Sequence, residues 1–255
     1  MTRSARHGYT EPAMPDPQAR FYDEMAEWWP LFSPPQHYDE EAADLLQRLG
    51  SLPSSPKQSL LELGSGGGSL ANHLAPFFAL TLTDRSPGML AVNRAVNPTA
   101  EHALGDMRSI RLGRQFDVVL VHDAIMYATE PEDVQATLTT AAIHCRPGGT
   151  VVVLPDYVRE TFTPGTEHGG EDSPDGRGFR YLECRWDPNP DDTTYLVDYA
   201  FMLRDAGGAI RVVHDRHVEG LFPRAQWLDW FAAAGLSASS TLDAWNRDVF
   251  MGYRT

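Results

Sequence analysis

This chain of 255 residues lacks the features that mark several large classes of protein. It has only two cysteines, Cys145 and Cys184, which lie far apart and outside any C-x-x-C pattern. Their scarcity excludes a disulfide framework and favours reduced thiols in the cytoplasm. No apolar run is long enough to cross a membrane, and no apolar core follows the first arginines as it would in a secretory signal. We therefore expect a cytoplasmic protein with no membrane partner.

Clusters of basic residues are also missing. The net charge is −14, and no group of lysines and arginines stands out along the chain. A nucleic-acid partner needs a basic face, so we expect none. Apolar residues make up 42% of the sequence, which is typical of a globular protein of one large domain or a domain with an insertion.

The most informative segment that is present is a glycine run between a predicted strand and a predicted helix. Residues 60–69 read LLELGSGGGS, so an acid is followed by glycines at alternate positions. Glycine lets the backbone turn sharply and approach a ligand closely. The helix that follows presents free N–H groups to this turn. The pattern predicts a site for a nucleotide-like cofactor.

Strands and helices alternate on both sides of this run. Continuous apolar strands separated by helices predict a parallel sheet covered on both faces. We predict strands at 60–63, 78–83, 101–104, 116–122 and 149–154, and helices at 69–74, from Ser86-Pro87 onward and at 130–144.

The flanking segments follow other patterns. A short helix over 21–29 should be stopped by Pro30 and the Ser33-Pro34-Pro35 turn, and a second over 37–49 should end at Gly50. After a long surface loop at 155–178, three runs at 179–186, 194–203 and 210–219 predict an antiparallel sheet. A helix at 224–234 and strands near 239–244 and 248–253 then return to the main sheet.

We expect five parts along the chain. Residues 1–17 form a disordered N-terminus, 18–50 a helical cap, 51–155 the cofactor-binding core, 156–222 a lid insertion of mainly antiparallel strands, and 223–255 the end of the core.

The glycine run alone leaves the ligand open. Residues 66–71 fit the dinucleotide pattern G-x-G-x-x-A, and Asp84 ends the next strand, where a ribose-binding acid belongs. A strand–turn–helix corner that binds no ligand fits the run as well.

The segment from Leu60 to Leu154 resembles, motif by motif and in order, the class I S-adenosylmethionine-dependent methyltransferases. Residues 62–68 resemble the first motif, Asp84 the ribose-binding acid, residues 105–107 the adenine-binding segment, and residues 116–122 the fourth strand. The resemblance implies a Rossmann-like, mostly parallel sheet of seven strands with helices on both faces, an N-terminal helical cap and an antiparallel β lid after the fifth strand. It also implies S-adenosylmethionine as the cofactor.

The resemblance further implies which residues contact that cofactor. The glycine turn would cradle its methionine end, Asp84 would hold the ribose hydroxyls, Met89 would pack on the adenine, and Asp106 would accept the adenine amino group. The expected cofactor-binding residues are Tyr22, Glu62, Gly64, Ser65, Gly66, Gly68, Asp84, Arg85, Met89, Asp106, Met107 and His122.

The N-terminal segment points to a small-molecule acceptor. Phe21-Tyr22-Asp23-Glu24-Met25-Ala26 resembles the opening of small-molecule methyltransferases, including amino-sugar N,N-dimethyltransferases. In that group the opening helix covers the cofactor and a lid sheet covers the acceptor. The N-P-P-Y signature of nucleic-acid amino methyltransferases is absent.

Candidate catalytic residues follow the fourth strand. They are Tyr127, His122 and Asp123. A loose alignment puts Tyr127 where the amino-sugar enzymes have an assisting histidine. Each residue also has a structural interpretation: backbone contact by His122, aromatic packing by Tyr127, and helix capping by Asp123.

The insertion contains further polar residues. His214, Asp215 and His217 have the residue types of a metal site, but alternation on a strand places His214 on the opposite face from the other two. We therefore predict a solvated strand surface and no metal. The acidic residues of 167–175 either attract a cationic acceptor or form a solvated loop.

The sequence thus predicts methylation of a small molecule, with an amine nitrogen favoured. The alternatives are O-methylation of a carboxylate or hydroxyl, a nicotinamide-dependent dehydrogenase, and a cofactor-binding protein without turnover. Either a monomer or a homodimer is expected.

Overall fold

A computed structural model describes residues 20–50 and 57–255 of the chain. Its main sheet has seven strands in the order β3-β2-β1-β4-β5-β11-β10. The strands are β1 (Gln58–Leu63), β2 (Phe78–Asp84), β3 (Glu101–Leu104), β4 (Phe116–Val121), β5 (Cys145–Val153), β10 (Leu236–Leu242) and β11 (Asp248–Arg254). The helices are α1 (Trp29–Phe32), α2 (Asp39–Arg48), α3 (Ser69–Leu74), α4 (Pro87–Val96), α5 (Pro131–His144) and α6 (Arg224–Ala233).

The sheet has the predicted Rossmann-like architecture. β1 to β5 pair in parallel, and only β11 and β10 run antiparallel to their neighbours. Two buried apolar clusters lie against the sheet; one includes Leu61 and Val119, the other Leu60 and Leu120. Because alternate residues of β1 and β4 enter different clusters, both faces of the sheet are covered.

Most predicted elements lie within a few residues of their expected bounds. The helix predicted from Ser86-Pro87 is confirmed in detail: the Ser86 hydroxyl accepts from Met89 N at 3.0 Å and caps α4, with proline in the first turn. Gly50 follows α2 with φ +60°, as expected of a residue that ends a helix.

The N-terminal cap differs from the prediction. Arg20–Glu24 forms a π-helical turn, Ala26–Trp28 a 3₁₀ turn, and α1 continues from Trp29 through Pro30. The prediction that Pro30 stops the helix was wrong. Proline is tolerated in a first turn because its missing N–H has no partner there.

The lid is a second, antiparallel sheet in the order β6-β7-β8-β9. Its strands are β6 (Gly165–Gly169), β7 (Gly178–Trp186), β8 (Thr194–Arg204) and β9 (Ile210–Gly220). The last three were predicted, but β6 lies inside the segment predicted to be a loop. Its glycine-rich, largely exposed residues lack the apolar alternation that identifies a strand. Among the described strands, β6 lies at the edge of the sheet and pairs with β7.

The predictions for residues 1–17 and for the start of the core at 51 lie outside the described residues. Among the helices of residues 20–50 and 57–255, none is both long enough and apolar enough to cross a membrane.

Candidate functional site

The glycine turn lies at the carboxyl end of β1, beside the first turn after β4. Gly64 has φ +74°, and a Cβ there would lie 2.4 Å from Ala124 Cβ. A glycine is therefore required both for the backbone conformation and for the close approach. Gly64 N and Ser65 N donate to Thr83 O at 2.9 and 2.8 Å, which fixes the turn against β2.

Two asparagines, one in α4 and one directly after it, hold the turn from the other side. Asn93 Nδ2 donates to Ser65 Oγ and to Gly66 O, both at 3.0 Å. Asn97 Nδ2 donates to Gly68 O at 2.9 Å. Sequence reasoning missed both asparagines, because side-chain amides within a helix carry no signal of their tertiary partners.

Asp84 ends β2 next to this turn, as predicted. Its Oδ2 accepts from Gly66 N and its Oδ1 from Ser86 N, both at 2.8 Å. Burial raises the pKa of this carboxyl above its usual value, although these N–H groups oppose the shift. Each oxygen of a carboxylate can accept a further hydrogen bond, so Asp84 can still hold two hydroxyls. Arg85 beside it is exposed.

The residues predicted to contact the adenine have different surroundings. Asp106 accepts two bonds from Arg108 Nε, at 3.0 and 3.1 Å, and this arginine lowers the pKa of its carboxyl. Met107 is partly buried, with its sulfur near the Gly64 turn. Met89 is fully buried.

Two buried polar atoms at the turn have no partner within residues 20–50 and 57–255. They are Glu62 Oε2, in β1, and Trp29 Nε1, in α1. The Trp29 ring covers the turn, since a Cβ at Gly67 would lie 2.1 Å from its Cδ1. Burial raises the pKa of Glu62 to about 8. One free acceptor and one free donor fit the ammonium and carboxylate at the amino-acid end of S-adenosylmethionine.

His122 lies directly after β4 in a charged cluster. Its Nε2 lies 2.5 Å from Glu41 Oε1 and 3.1 Å from Asp123 Oδ1. Burial disfavours the charged imidazole, but Asp123 and Glu41 outweigh it and raise the pKa of His122 to about 9. Arg247 Nη2 bonds the same Glu41 oxygen at 2.7 Å. His122 is therefore a cation at neutral pH, so it is not available as a base.

Tyr127 lies at the end of the 3₁₀ turn Asp123–Tyr127, between the cap and the lid. Its hydroxyl forms a short hydrogen bond with the Tyr22 hydroxyl and lies 2.8 Å from His217 Nδ1. Burial raises the pKa of Tyr127 well above its usual value, so its hydroxyl stays protonated. Two predicted residues, Tyr22 and Tyr127, are thus brought together with a third that was not predicted.

The other polar residues of the insertion fall into two groups. Asp215 and His217 are buried, whereas His214 is exposed and lies 2.8 Å from Asp198. The predicted alternation is confirmed, but the prediction of a solvated surface was wrong for Asp215 and His217. This face of β9 is covered by the cap and by the turn after β4, which the strand pattern alone does not reveal.

The acidic segment 167–175 is exposed and largely paired. Glu167 bonds Arg185 at 2.7 Å, and Asp172 bonds Arg180 and Arg204 at 2.8 Å each. His168 is exposed as well. Asp156, in contrast, has its pKa raised well above its usual value by burial and by the charge of Asp123. Within residues 20–50 and 57–255, no group of three or more histidines, cysteines and acids is arranged to hold a metal ion.

Comparison with known proteins agrees with this geometry. Residues 60–149 match the family model described as a methyltransferase domain. The chain is 32% identical over 226 residues to the dTDP-3-amino-3,6-dideoxy-alpha-D-glucopyranose N,N-dimethyltransferase of Streptomyces fradiae, with 87% of each chain covered.

Solved structures are similar over most of the chain. DesVI of Streptomyces venezuelae superimposes with a TM-score of 0.78 at 28% identity, covering 91% of this chain and 98% of that one. The SAM-bound amino pentose methyltransferase CalS10 of Micromonospora echinaspora gives a TM-score of 0.71 at 26% identity, covering 86% and 92%.

Proposed function

Since the chain belongs to the S-adenosylmethionine-dependent methyltransferases, in the group that contains the amino-sugar N,N-dimethyltransferases, we propose that it methylates the amino group of a sugar-like small molecule twice. The observation that carries this proposal is the position of the Tyr127 hydroxyl. Its buried hydroxyl lies immediately beyond β4, between Tyr22 of the cap and His217 of the lid. Family membership also sets aside the nicotinamide-dependent dehydrogenase.

The amino-acid end of the cofactor binds, in this proposal, between β1 and the cap. The Glu62 carboxylate receives the ammonium, and Trp29 Nε1 donates to the carboxylate. Both atoms are buried without a partner in the described part of the chain, and an unmatched buried polar atom costs about 1–3 kcal/mol. Binding would therefore satisfy two groups that the described residues leave unmatched.

The adenosine end follows the edge of the sheet in this proposal. Asp84 accepts the ribose hydroxyls, because both of its oxygens keep accepting capacity after bonding Gly66 N and Ser86 N. Asp106 and Met107 border the adenine, and Met89 supports it from within α4. The Arg108 bonds keep Asp106 ionised and hold its carboxylate in place.

The acceptor side favours an amine over a hydroxyl. S-adenosylmethionine supplies an electrophilic methyl group on its sulfonium, and a neutral amine can attack it without prior deprotonation. A hydroxyl needs a strong base in contact with it. At the described site Tyr127 stays protonated and His122 is a cation.

The remaining task of the protein is alignment. Methyl transfer needs the attacking nitrogen, the methyl carbon and the sulfur in line at about 3 Å. Tyr127 would hold the nitrogen through its hydroxyl, while Tyr22 fixes the Tyr127 ring from the cap with ring centroids 5.6 Å apart. Phe21 closes the cap over the lid by stacking on Phe201 at 4.7 Å, which excludes water.

A direct assay tests this function. Purified protein is incubated with S-adenosylmethionine and dTDP-3-amino-3,6-dideoxy-α-D-glucopyranose, and the products are resolved by mass spectrometry. We expect singly and then doubly methylated amine. The matched 3-hydroxy sugar nucleotide serves as the control and should stay unmethylated; methylation of that hydroxyl, or of neither compound, would contradict the proposal.

A further inference from the structure

The buried pair His217 and Asp215 lies on the inner face of β9, behind Tyr127. Their side chains are 2% and 3% exposed, although they belong to a strand whose other face is solvated. In the register of the lid, Asp215 is opposite Tyr199 and His217 is opposite Val197. Burying an ionisable pair is costly unless its groups have partners, so this pair needs an explanation.

The contacts of the imidazole are directional. Nδ1 lies 2.8 Å from the Tyr127 hydroxyl, and Nε2 lies 3.4 Å from Asp215 Oδ2. Nε2 and Oδ2 are both buried, and neither forms a hydrogen bond with any of the residues that the structure describes. A protonated phenol can donate to Nδ1, and in that tautomer the neutral ring carries its proton on Nε2, which faces the carboxylate.

Aromatic and acidic side chains enclose this ring. Tyr22 of the cap, Tyr127 after β4 and Tyr199 of β8 have ring centroids between 5.1 and 5.9 Å from the imidazole. Asp215 and Glu219 lie on the same buried face of β9 as His217. Burial, with the charges of Glu183 of β7 and Asp123 after β4, raises the pKa of Glu219. An imidazolium at this position would have the Asp215 carboxylate as its ion-pair partner.

We propose that Tyr127, His217 and Asp215 form a proton relay that removes the proton from each newly methylated ammonium, so that the same nitrogen can accept a second methyl group. This inference rests on the proposed function. It also assigns roles to two residues of the lid that the cofactor site does not use.

The relay moves one proton for each methyl group transferred. The nitrogen lone pair forms the N–C bond as the C–S bond breaks, and the product ammonium keeps a proton. That proton passes to the Tyr127 oxygen while the Tyr127 proton passes to His217 Nδ1. The resulting imidazolium pairs through Nε2–H with Asp215. The proton returns to solvent when the products leave, and Tyr127 ends as the neutral phenol.

The test uses His217→Gln, with His214→Gln as the matched control. Glutamine can keep a hydrogen bond to Tyr127 but cannot take up a proton, and His214 lies on the exposed face of the same strand. The probes are dTDP-3-amino-3,6-dideoxy-α-D-glucopyranose and its N-monomethyl derivative. Thermal unfolding and S-adenosylhomocysteine affinity are measured first, to establish that each variant is folded.

We expect His217→Gln to release mainly monomethylated product and to lower kcat on both amines by about 10²-fold, with cofactor affinity unchanged. Its rate should keep rising with pH where the wild-type rate has levelled off, because the proton must then leave without the relay. Asp215→Asn should give an intermediate loss. His214→Gln should match the wild type.

Two outcomes distinguish a failure of the relay from a failure of the proposed function. If the wild type methylates both amines and His217→Gln gives the same product ratio and pH profile, the relay is overturned and the function stands. If the wild type binds the cofactor but methylates neither amine, the proposed function fails. Nitrogen NMR of His217 gives an independent readout: an Nδ1–H tautomer would overturn the relay by itself.

Discussion

The proposed role of Glu62 predicts that cofactor binding releases a proton. Burial raises the pKa of this carboxyl to about 8, so about 90% of the molecules carry a neutral Glu62 at pH 7. An ammonium next to Oε2 would favour the carboxylate and expel that proton. The ligand's own amino group is about 10–15% deprotonated at pH 7 and would take up about 0.1 proton. The net release should be about 0.8 proton per ligand bound at pH 7.

Isothermal titration calorimetry measures this number. S-adenosylhomocysteine, which has the same amino-acid end, is titrated at pH 7 in buffers of different ionisation enthalpy. The slope of the binding enthalpy against the buffer enthalpy gives the protons released. Glu62→Gln should reduce the slope to near zero and weaken binding by about 10–100-fold, the value of one hydrogen-bonded charge.

The matched control is Glu101→Gln, at an acid of the sheet edge that pairs with Arg114 at the surface. It should keep both the affinity and the slope of the wild type. A wild-type enthalpy independent of the buffer, or a Glu62→Gln variant with the wild-type slope, would refute the assignment of the ammonium to Glu62.

Three further predictions concern the turn and its neighbours. Gly64→Ala should lower the free energy of unfolding, measured in urea, by about 2 kcal/mol or more, because the new Cβ would clash with Ala124. Gly113 has a similar φ of +69° but open space around it, so Gly113→Ala should lose less stability. Equal losses would exclude the clash as the cause. Asp84→Asn should weaken S-adenosylhomocysteine binding at least about tenfold in calorimetry, and unchanged affinity would contradict the ribose assignment. The pKa of His122 is raised to about 9, so its pairing with Glu41 stabilises the fold fully below about pH 6.5, and this stabilisation is lost as the pH rises through 9. The free energy of unfolding in urea should fall over this pH range in the wild type and fall less in Glu41→Gln. Equal falls would show that the pair has no such effect.

The sequence predicted the main sheet well because its signals are local. Apolar runs, a capping serine and glycines at element ends each act within a few residues, and the structure has β1 to β5 in the expected order. The exceptions are informative. β6 was missed because both of its faces are largely exposed, and α1 passes Pro30 because the proline lies in a first turn. Local patterns do not report which neighbour an edge strand pairs with.

The candidate site divides in the same way. The sequence alone determined the glycine turn and the acid at the end of β2, because a strand–turn–helix unit is specified by contiguous residues. The cofactor followed from the resemblance of the motifs over residues 60–154, taken in order, to the methyltransferases. Only the tertiary structure placed His217 against Tyr127, 90 residues away, and Glu41 against both His122 and Arg247, 81 and 206 residues away. These contacts depend on how the cap and the lid pack on the sheet, so the burial and charge of the acceptor side are properties of the assembled fold.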